Sequence, residues 1–393
     1  MKNLETLIRE LCPDGVEFVK LGEVCEIKTG KGITNKDCSD SDIYPVYSGG
    51  KEPMGYYKDF NRNENTITVS RVGAYAGFVN YVVEKFYLND KCFSVIPTAG
   101  NTINTKFLYY KLKSIESNII NLQSGGGVPT INTKKVGSIK IPLPPIEVQS
   151  EIVRILDKFT ELEAELEAEL DCRKRQYEYY RDKLLSFENV GGQDVEWKKM
   201  SEVGTFIRGK RFIRTDIVEE GVPCIHYGDM YMYYGLQATQ ARTHLTKEKA
   251  EKMRFASKND VIIVGAGENN MDIGIGMAWL GDEDVAVHDA CYIFKSNMNP
   301  RYVSHYLRGS KYHLQIKKYV CEGKICSISS QSIGKSIIPV PSLQEQERIA
   351  NILDRFESLT TSLTAGLPAE IAARHQQYEH YRDKLLTFKR KSA

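Results

Sequence analysis

The sequence predicts an α+β chain of two strand-rich bodies separated by two long α-helices, the helices pairing as an antiparallel coiled coil about a pseudo-two-fold axis. Three observations predict it: a segment that recurs at a fixed offset, apolar residues at heptad spacing within the recurring segment, and short β-branched runs between glycine-rich loops outside it. The boundaries that follow are 1–146 for the first body, 147–187 for the first helix, 188–342 for the second body and 343–393 for the second helix and tail.

The repeat is the strongest signal. Ile141-Pro-Leu-Pro-Pro returns as Ile338-Pro-Val-Pro-Ser, an offset of 197, and Gln149, Ile152, Ile155, Leu156, Asp157 and Phe159 return as Gln346, Ile349, Ile352, Leu353, Asp354 and Phe356. Tyr177-Glu178 and Tyr180-Arg-Asp-Lys-Leu-Leu185 recur as Tyr378-Glu379 and Tyr381-Arg-Asp-Lys-Leu-Leu386, now at offset 201, so the second copy carries four extra residues. A fainter echo at offset 179 relates Val16-Glu17-Phe18, Lys20, Glu23-Val24 and Gly30-Lys31 to Val195-Glu196-Trp197, Lys199, Glu202-Val203 and Gly209-Lys210. The bodies diverge where the tails agree.

Each tail enters a helix after Pro144 or Pro341, because proline is tolerated at a helix start and excluded from its interior. In the first tail Ile152, Phe159, Leu166, Tyr180 and Phe187 fall on a seven-residue lattice, with Leu156, Leu170, Tyr177 and Leu184 at the alternate position; Glu163 and Arg173 interrupt the seam. The second tail carries Ile349, Leu353, Phe356 and Leu363, then shifts frame to Leu367, Tyr378, Tyr381 and Leu385. An insertion of four is a coiled-coil stutter, and Gly366 with Pro368 predicts a kink or short break there. At ~1.5 Å per residue a helix of about 40 residues spans roughly 60 Å, the proportions of a spacer.

Strands are expected at Asn65–Ser70, Tyr81–Val83, Cys92–Ile96, Asp260–Val264 and Ala290–Phe294, and short helices at Thr105–Ser114 and Pro300–Ser310. Polar loops such as Tyr47-Ser-Gly-Gly-Lys51 and Ser124-Gly-Gly-Gly-Val-Pro-Thr130 lie between them and are the natural carriers of contacts.

Composition narrows the function. Apolar residues make up 41% and charged residues 26%, the balance of a globular chain, and no run approaches the length of a membrane span. The first residues have no secretory pattern, so a cytoplasmic location is expected. Nine cysteines without a Cys-x-x-Cys pair read as reduced, mostly buried thiols. The net charge of +2 falls short of a stand-alone nucleic-acid binder; the acidic residues concentrate in the tails at Glu161 to Asp171, leaving a small positive surplus elsewhere. A partner would have to supply part of any grip on DNA.

Catalytic motifs almost form and then fail. Gly204 to Lys210 has the outline of a phosphate-binding loop, but Arg211 stands where a Mg²⁺-binding Ser or Thr is needed. Gly265-Ala-Gly267 lacks the third glycine of a dinucleotide turn. Pro144-Pro145 follows Leu143 rather than the Asn or Asp of an amino-methyltransferase, and Glu322-Gly-Lys324 has no upstream acidic partner for nuclease chemistry. The seven histidines show no metal spacing. A self-contained modifying or cleaving enzyme is therefore disfavoured, and a coiled-coil scaffold without a DNA role is the rival suggested by the charge.

The tail motifs, Ile-Pro-Leu-Pro-Pro, Glu-Ile-Val-Arg-Ile-Leu-Asp-Lys-Phe, Gly366-Leu-Pro-Ala-Glu-Ile371 and Gln-Tyr-Glu-Tyr-Tyr-Arg-Asp-Lys-Leu-Leu-Ser-Phe, resemble the repeated regions of the specificity subunits of type I restriction-modification systems. The resemblance implies that the bodies are target-recognition domains, each reading part of a split double-stranded DNA sequence, and that the helices set the gap between the parts. It implies as partners two methyltransferase (modification) subunits, which use S-adenosylmethionine on adenine, and restriction/translocase subunits driven by ATP and Mg²⁺, with no catalytic residue, cofactor or metal in this chain and no membrane. Base readers need donor or acceptor side chains on loops. The candidates are Lys31, Tyr47, Ser48, Lys51, Arg71 and Tyr75 in the first body, and Arg208, Lys210, Arg211, His226, Tyr227 and Lys324 in the second.

Overall fold

The computed structural model describes residues 4–98, 100–124, 127–187, 195–362 and 366–391. The chain divides into two compact units, Met1–Glu165 with Ala372–Ala393, and Leu166–Ile371. Both combine a strand-rich body with helix segments drawn from both tails.

In the first unit the strands Cys25–Thr29, Cys92–Pro97, Thr66–Ser70 and Val79–Val82 form an antiparallel sheet in that spatial order. Thr66–Ser70 is buried along its whole length, which its β-branched composition suits. A smaller sheet joins Tyr56–Tyr57, Tyr44–Tyr47 and Tyr87–Leu88, the last pair parallel. The helix Thr105–Ser114 buries Phe107, Leu108, Tyr110 and Leu112, and starts where Asn104 accepts the backbone N–H groups of Lys106 and Phe107. That capping satisfies donors the first helical turn leaves orphaned.

The second unit repeats the plan with additions. Gly204–Arg208, Cys291–Ser296, Val261–Val264, Gly276–Trp279 and Gln237–Ala238 make one sheet, and Ile217–Val218, Thr243–Leu245, Val222–Ile225, Val285–Val287 and Phe255–Ala256 another. The expected strand at Tyr81–Val83 starts earlier, at Val79, because Val79 is buried opposite Val69 whereas Val83 is 69% exposed. The expected helix Pro300–Ser310 stops at Tyr306; Gly309 N–H bonds back to Tyr306 O and starts a separate helix, Ser310–Lys317, absent from the sequence reading.

The first tail is one helix, Ile146–Ser186, ending where Phe187 adopts φ 53°. The second is two helices, Leu343–Thr361 and Leu367–Leu385. Gly366 lies so close to the preceding turn that a Cβ there would meet Ser358 O at 2.6 Å. Within the first unit, the start of the long helix and Leu367–Leu385 run antiparallel: His375 bonds Glu163 at 2.7 Å, and Tyr381 stacks on Phe159 with ring centroids 5.5 Å apart. Ile152, Leu156, Tyr378 and Leu386 are buried there with Leu4, Val16 and Phe107, while Leu385 is half-buried beside them. Within the second unit Tyr180 stacks on Phe356 at 5.4 Å, and Leu185, Ile349 and Leu353 join the core, with Tyr177 and Leu184 packed against it. Leu166, Leu170 and Leu367 are half-buried, and Leu363 lies outside the described residues.

The residues that repeat most faithfully turn out to be joints. Phe18–Lys20 pairs with Lys140–Pro142, and Glu196–Lys199 with Ile337–Val340, so the Val-Glu-aromatic echo and the Ile-Pro motif are partner strands in each unit. Gln149 and Gln346 are fully buried. Gln149 Oε1 accepts Asn104 N–H at 2.9 Å and its Nε2 donates to Pro144 O at 2.7 Å; Gln346 accepts Asn299 N–H at 2.8 Å and donates to Pro341 O at 2.8 Å. Asp157 takes Lys106 Nζ at 2.7 Å and Tyr110 Oη at 2.5 Å, and Asp354 takes Arg301 Nη1 at 2.5 Å and His305 Nε2 at 2.8 Å. In each unit one amide and one carboxylate of the tail are thus held at the body's helix, and in the second Glu347 adds a further tie by taking the Asn299 and Arg301 side chains.

All nine thiols are unpaired, and burial pushes those of Cys25 and Cys291 up to about 12. Among the described residues no helix is long and apolar enough to cross a membrane, and no cluster of three His, Cys, Asp or Glu side chains is placed to hold a metal.

Candidate nucleic-acid interface

Each body carries a cleft, and the two clefts are built on the same backbone hydrogen bonds. In the first body Gly30 N–H bonds Cys92 O (3.1 Å), Lys31 N–H bonds Leu88 O (2.9 Å), Asn89 N–H bonds Tyr47 O (2.9 Å) and Arg71 N–H bonds Lys91 O (2.8 Å). In the second, Gly209 N–H bonds Cys291 O (3.0 Å), Lys210 N–H bonds Val287 O (3.0 Å), His288 N–H bonds Ile225 O (3.2 Å) and Gly265 N–H bonds Ala290 O (2.7 Å). The loop after the first bond closes identically: Thr34 N–H meets Asp37 Oδ2 and Ile213 N–H meets Asp216 Oδ2, both at 2.8 Å.

Glycine is required at one point of this frame. A Cβ on Gly30 would stand 2.2 Å from Leu88 O, and one on Gly209 would stand 2.2 Å from His288 O. Real Cβ atoms do not approach carbonyl oxygens that closely, so the Gly-Lys echo in the sequence marks a crossing of two backbones. The phosphate-loop resemblance of Gly204 to Lys210 resolves into a strand followed by this crossing.

Asn89 and His288 occupy the same place and do the same work. Asn89 Oδ1 accepts Lys91 N–H at 3.2 Å and its Nδ2 donates to Ile33 O at 2.7 Å. His288 Nδ1 accepts Ala290 N–H at 3.1 Å, and its ring bonds the backbone of Phe212, the counterpart of Ile33. Both side chains are buried.

The first cleft is lined by Gly32, Thr34, Asn35, Ser48, Tyr75, Asp90 and Lys91, among others. Of the sequence candidates, Ser48 and Tyr75 line it directly, and Lys51 Nζ sits over the Tyr75 ring at 5.4 Å from its centroid. Arg71 Nη1 bonds Asp90 O at 3.2 Å, beside the cleft, and Lys31 is exposed next to the Gly30 crossing. The Tyr47 ring turns inward, edge-on to Phe86 at 5.5 Å in a cluster with Val82, Leu88 and Cys92, where burial raises its pKa.

The second cleft is lined by Arg211, Phe212, Ile213, Arg214, His226, Tyr227, Glu268, His288, Asp289 and Ile325, together with Ala266, Gly267 and Ala290. Arg211, His226 and Tyr227 therefore come together. Lys210 and Arg211 also border an adjoining basic recess with Lys249 and Lys252. Arg208 is held to the rim by Nε donating to Asp289 O at 2.9 Å, and Lys324 is exposed on the loop that presents Ile325. Burial holds His226 and His288 below the usual imidazole range; Arg214 adds to this for His226, and His226 itself adds to it for His288.

Sequence reasoning missed Arg214, Glu268, His288 and, in the first body, Asn35, Asn89 and Lys91. The signal was present: extending the offset of 179 past Gly30 aligns Asn35 with Arg214, and Ser48 with His226 follows one residue out of step. On one frame, Gly32, Asn35 and Ser48 are exchanged for Arg211, Arg214 and His226.

Comparison with known proteins agrees with this duplication. The profile of the type I restriction modification DNA specificity domain matches residues 13–171 and again 192–373. The chain is 32% identical to the EcoR124I/EcoR124II type I restriction enzyme specificity subunit of Escherichia coli, covering 99% of this chain and 97% of that one. It is 30% identical to a putative type I specificity subunit of Haemophilus influenzae, covering 99% and 100%. Its fold is similar to that of the S subunit of a type I system from M. genitalium, with a TM-score of 0.57, 16% identity, and 95% and 96% of the two chains covered.

Proposed function

The chain belongs to the type I restriction-modification DNA specificity family, and from that premise we propose that each cleft reads one part of a bipartite double-stranded DNA target. The observation that carries the proposal is one backbone frame presenting two different side-chain sets, as a reader of two unlike half-sites requires. Backbone bonds fix where the reading side chains stand, and those side chains then select base edges.

The helices are the spacer and the seat for two methyltransferase subunits, and restriction/translocase subunits join for cleavage. S-adenosylmethionine, ATP and Mg²⁺ belong to those partners; this chain is the non-catalytic, cytoplasmic selector. Its near-neutral charge is consistent with sharing the grip on DNA with partners. The uninterrupted helix Ile146–Ser186 supports the ruler role: adding four residues lengthens such a helix by about 6 Å, one or two base-pair steps of DNA.

Sequencing of methylated adenines in cells co-expressing the chain with its modification subunit tests this. A bipartite motif with an unspecified gap is expected, and exchange of residues 188–342 should rewrite one half only. Verified assembly with no motif would refute it.

A further inference from the structure

The second cleft carries a donor set that the first lacks. His226 lines it, and His226 Nδ1 accepts the backbone N–H of Gly228 at 3.2 Å. An imidazole nitrogen that accepts cannot carry the proton, so in the neutral ring the proton sits on Nε2. No protein hydrogen bond takes that Nε2–H among the described residues. The neighbouring His288 has both ring positions committed to the frame, as Asn89 has in the first body, and is thereby removed from reading.

Arg211 and Arg214 line the same cleft, and Glu268, exposed on the loop after Val261–Val264, brings an acceptor. Guanine is the base whose major-groove edge offers two acceptors, O6 and N7, with no donor, while its paired cytosine offers an amino donor. Arginine and imidazole N–H groups answer the first and a carboxylate the second.

We propose that the second body's cleft reads a G·C pair, with His226 Nε2–H and an arginine from Arg211 or Arg214 on the guanine and Glu268 on the cytosine. This rests on the DNA-reading role proposed above. At the corresponding positions of the first cleft stand Gly32, Asn35 and Ser48, which carry neither a guanidinium nor an imidazole. Ring protonation would put a second proton where Gly228 N–H points, so the ring reads in its neutral form; burial, which depresses its pKa, favours that form even though Asp229 opposes it.

The test uses the full chain assembled with its methyltransferase subunits. The methylated motif of the wild-type complex is mapped, and its second-body half is identified by exchanging residues 188–342. That half should contain a G·C pair at which His226→Asn, which keeps an acceptor for Gly228 N–H but lacks the distal donor, lowers base discrimination about tenfold. The other half should stay intact, melting of the second unit followed by its Trp197 and Trp279 fluorescence should match the wild type and so show that the variant folds, and His226→Gln, whose amide reaches the Nε2 position, should restore selectivity. Independently of any variant, the wild-type complex should bind a duplex carrying 7-deazaguanine at that position about tenfold more weakly. A second-body half without G·C, unchanged discrimination in His226→Asn, or equal binding of the 7-deazaguanine duplex overturns the inference while leaving the DNA-reading role standing. A wild-type complex that methylates no motif overturns both.

Discussion

Replacing Gln346 with alanine tests whether the repeated tail residues are joints. The side chain is 1% exposed and satisfies two backbone groups at once, Asn299 N–H and Pro341 C=O, each at 2.8 Å. Alanine leaves both buried and unpaired, at a cost of about 1–3 kcal/mol per group. The expected loss is therefore about 2–6 kcal/mol for the second unit, or roughly 4–24 °C in Tm for a unit of that size. Both tryptophans, Trp197 and Trp279, lie in the second unit, and Trp279 is buried, so their fluorescence during guanidinium unfolding follows that unit alone. Gln344→Ala is the control, since Gln344 is exposed two residues away and should change stability by less than about 0.5 kcal/mol. If Gln346→Ala matches Gln344→Ala, the amide is not a joint and the explanation offered for the repeat is wrong.

Further outcomes are expected. Gly209→Ala should collapse the second cleft and destabilise its unit by about 3 kcal/mol or more, because the added Cβ meets two carbonyl oxygens at 2.2 and 2.4 Å, whereas Gly323→Ala, in the same unit with nothing nearer than Ile325 O at 3.7 Å, should be silent in the same melts. Acid should weaken the second unit selectively. Burial holds His226, His288, His305 and His313 below the imidazole's unfolded value of about 6.5, so the unfolded chain binds protons first; their stabilising contribution is complete above about pH 6.5 and is lost as pH falls toward the folded values. Tryptophan-monitored melts should show a lower Tm at pH 5.5 than at 7.5, and an unchanged Tm would refute the assignment. Asp354→Asn should also lower that Tm, since Asp354 is the shared acceptor of Arg301 and the fully buried His305; retention of the wild-type Tm would show that this contact does not hold the tail.

The architecture was legible because duplication and heptad spacing leave long, regular traces. Ile152, Leu156, Ile349 and Leu353 are buried as their spacing demands. Near the helix ends periodicity misleads by one residue, since Leu185 and Leu386 are more buried than the lattice positions Leu184 and Leu385. There the partner is a curved body rather than a second helix, and a seven-residue lattice has no term for it. Two-residue strands such as Tyr87–Leu88 are too short to carry alternation. The clefts were half legible: Ser48, Tyr75, Arg211, His226 and Tyr227 stood in polar loops, but His288 and Asn89 look like ordinary loop residues until Ile225 and Tyr47 are seen pairing beside them. Tyr47, chosen for its loop, is anchored by Phe86, a contact across 39 residues that no local pattern encodes.

Because backbone groups and the fixed side chains of Asp37, Asn89, Asp216 and His288 tie the frame together, while Ser48 and Asn35 take no side-chain part in it, folding and the recognition proposed above can rest on different positions. Exchanging Ser48 or Asn35 alters what the first body meets without touching a bond that holds it closed, whereas Gly30, Gln149 and Asp157 are each committed to one geometry. If the clefts read DNA as proposed, a lineage can drift from one target to another by single substitutions without passing through an unfolded intermediate. On the same reading, an incoming body would have to supply the strand that pairs with the Ile-Pro segment and the helix groups that take the tail's amide and carboxylates.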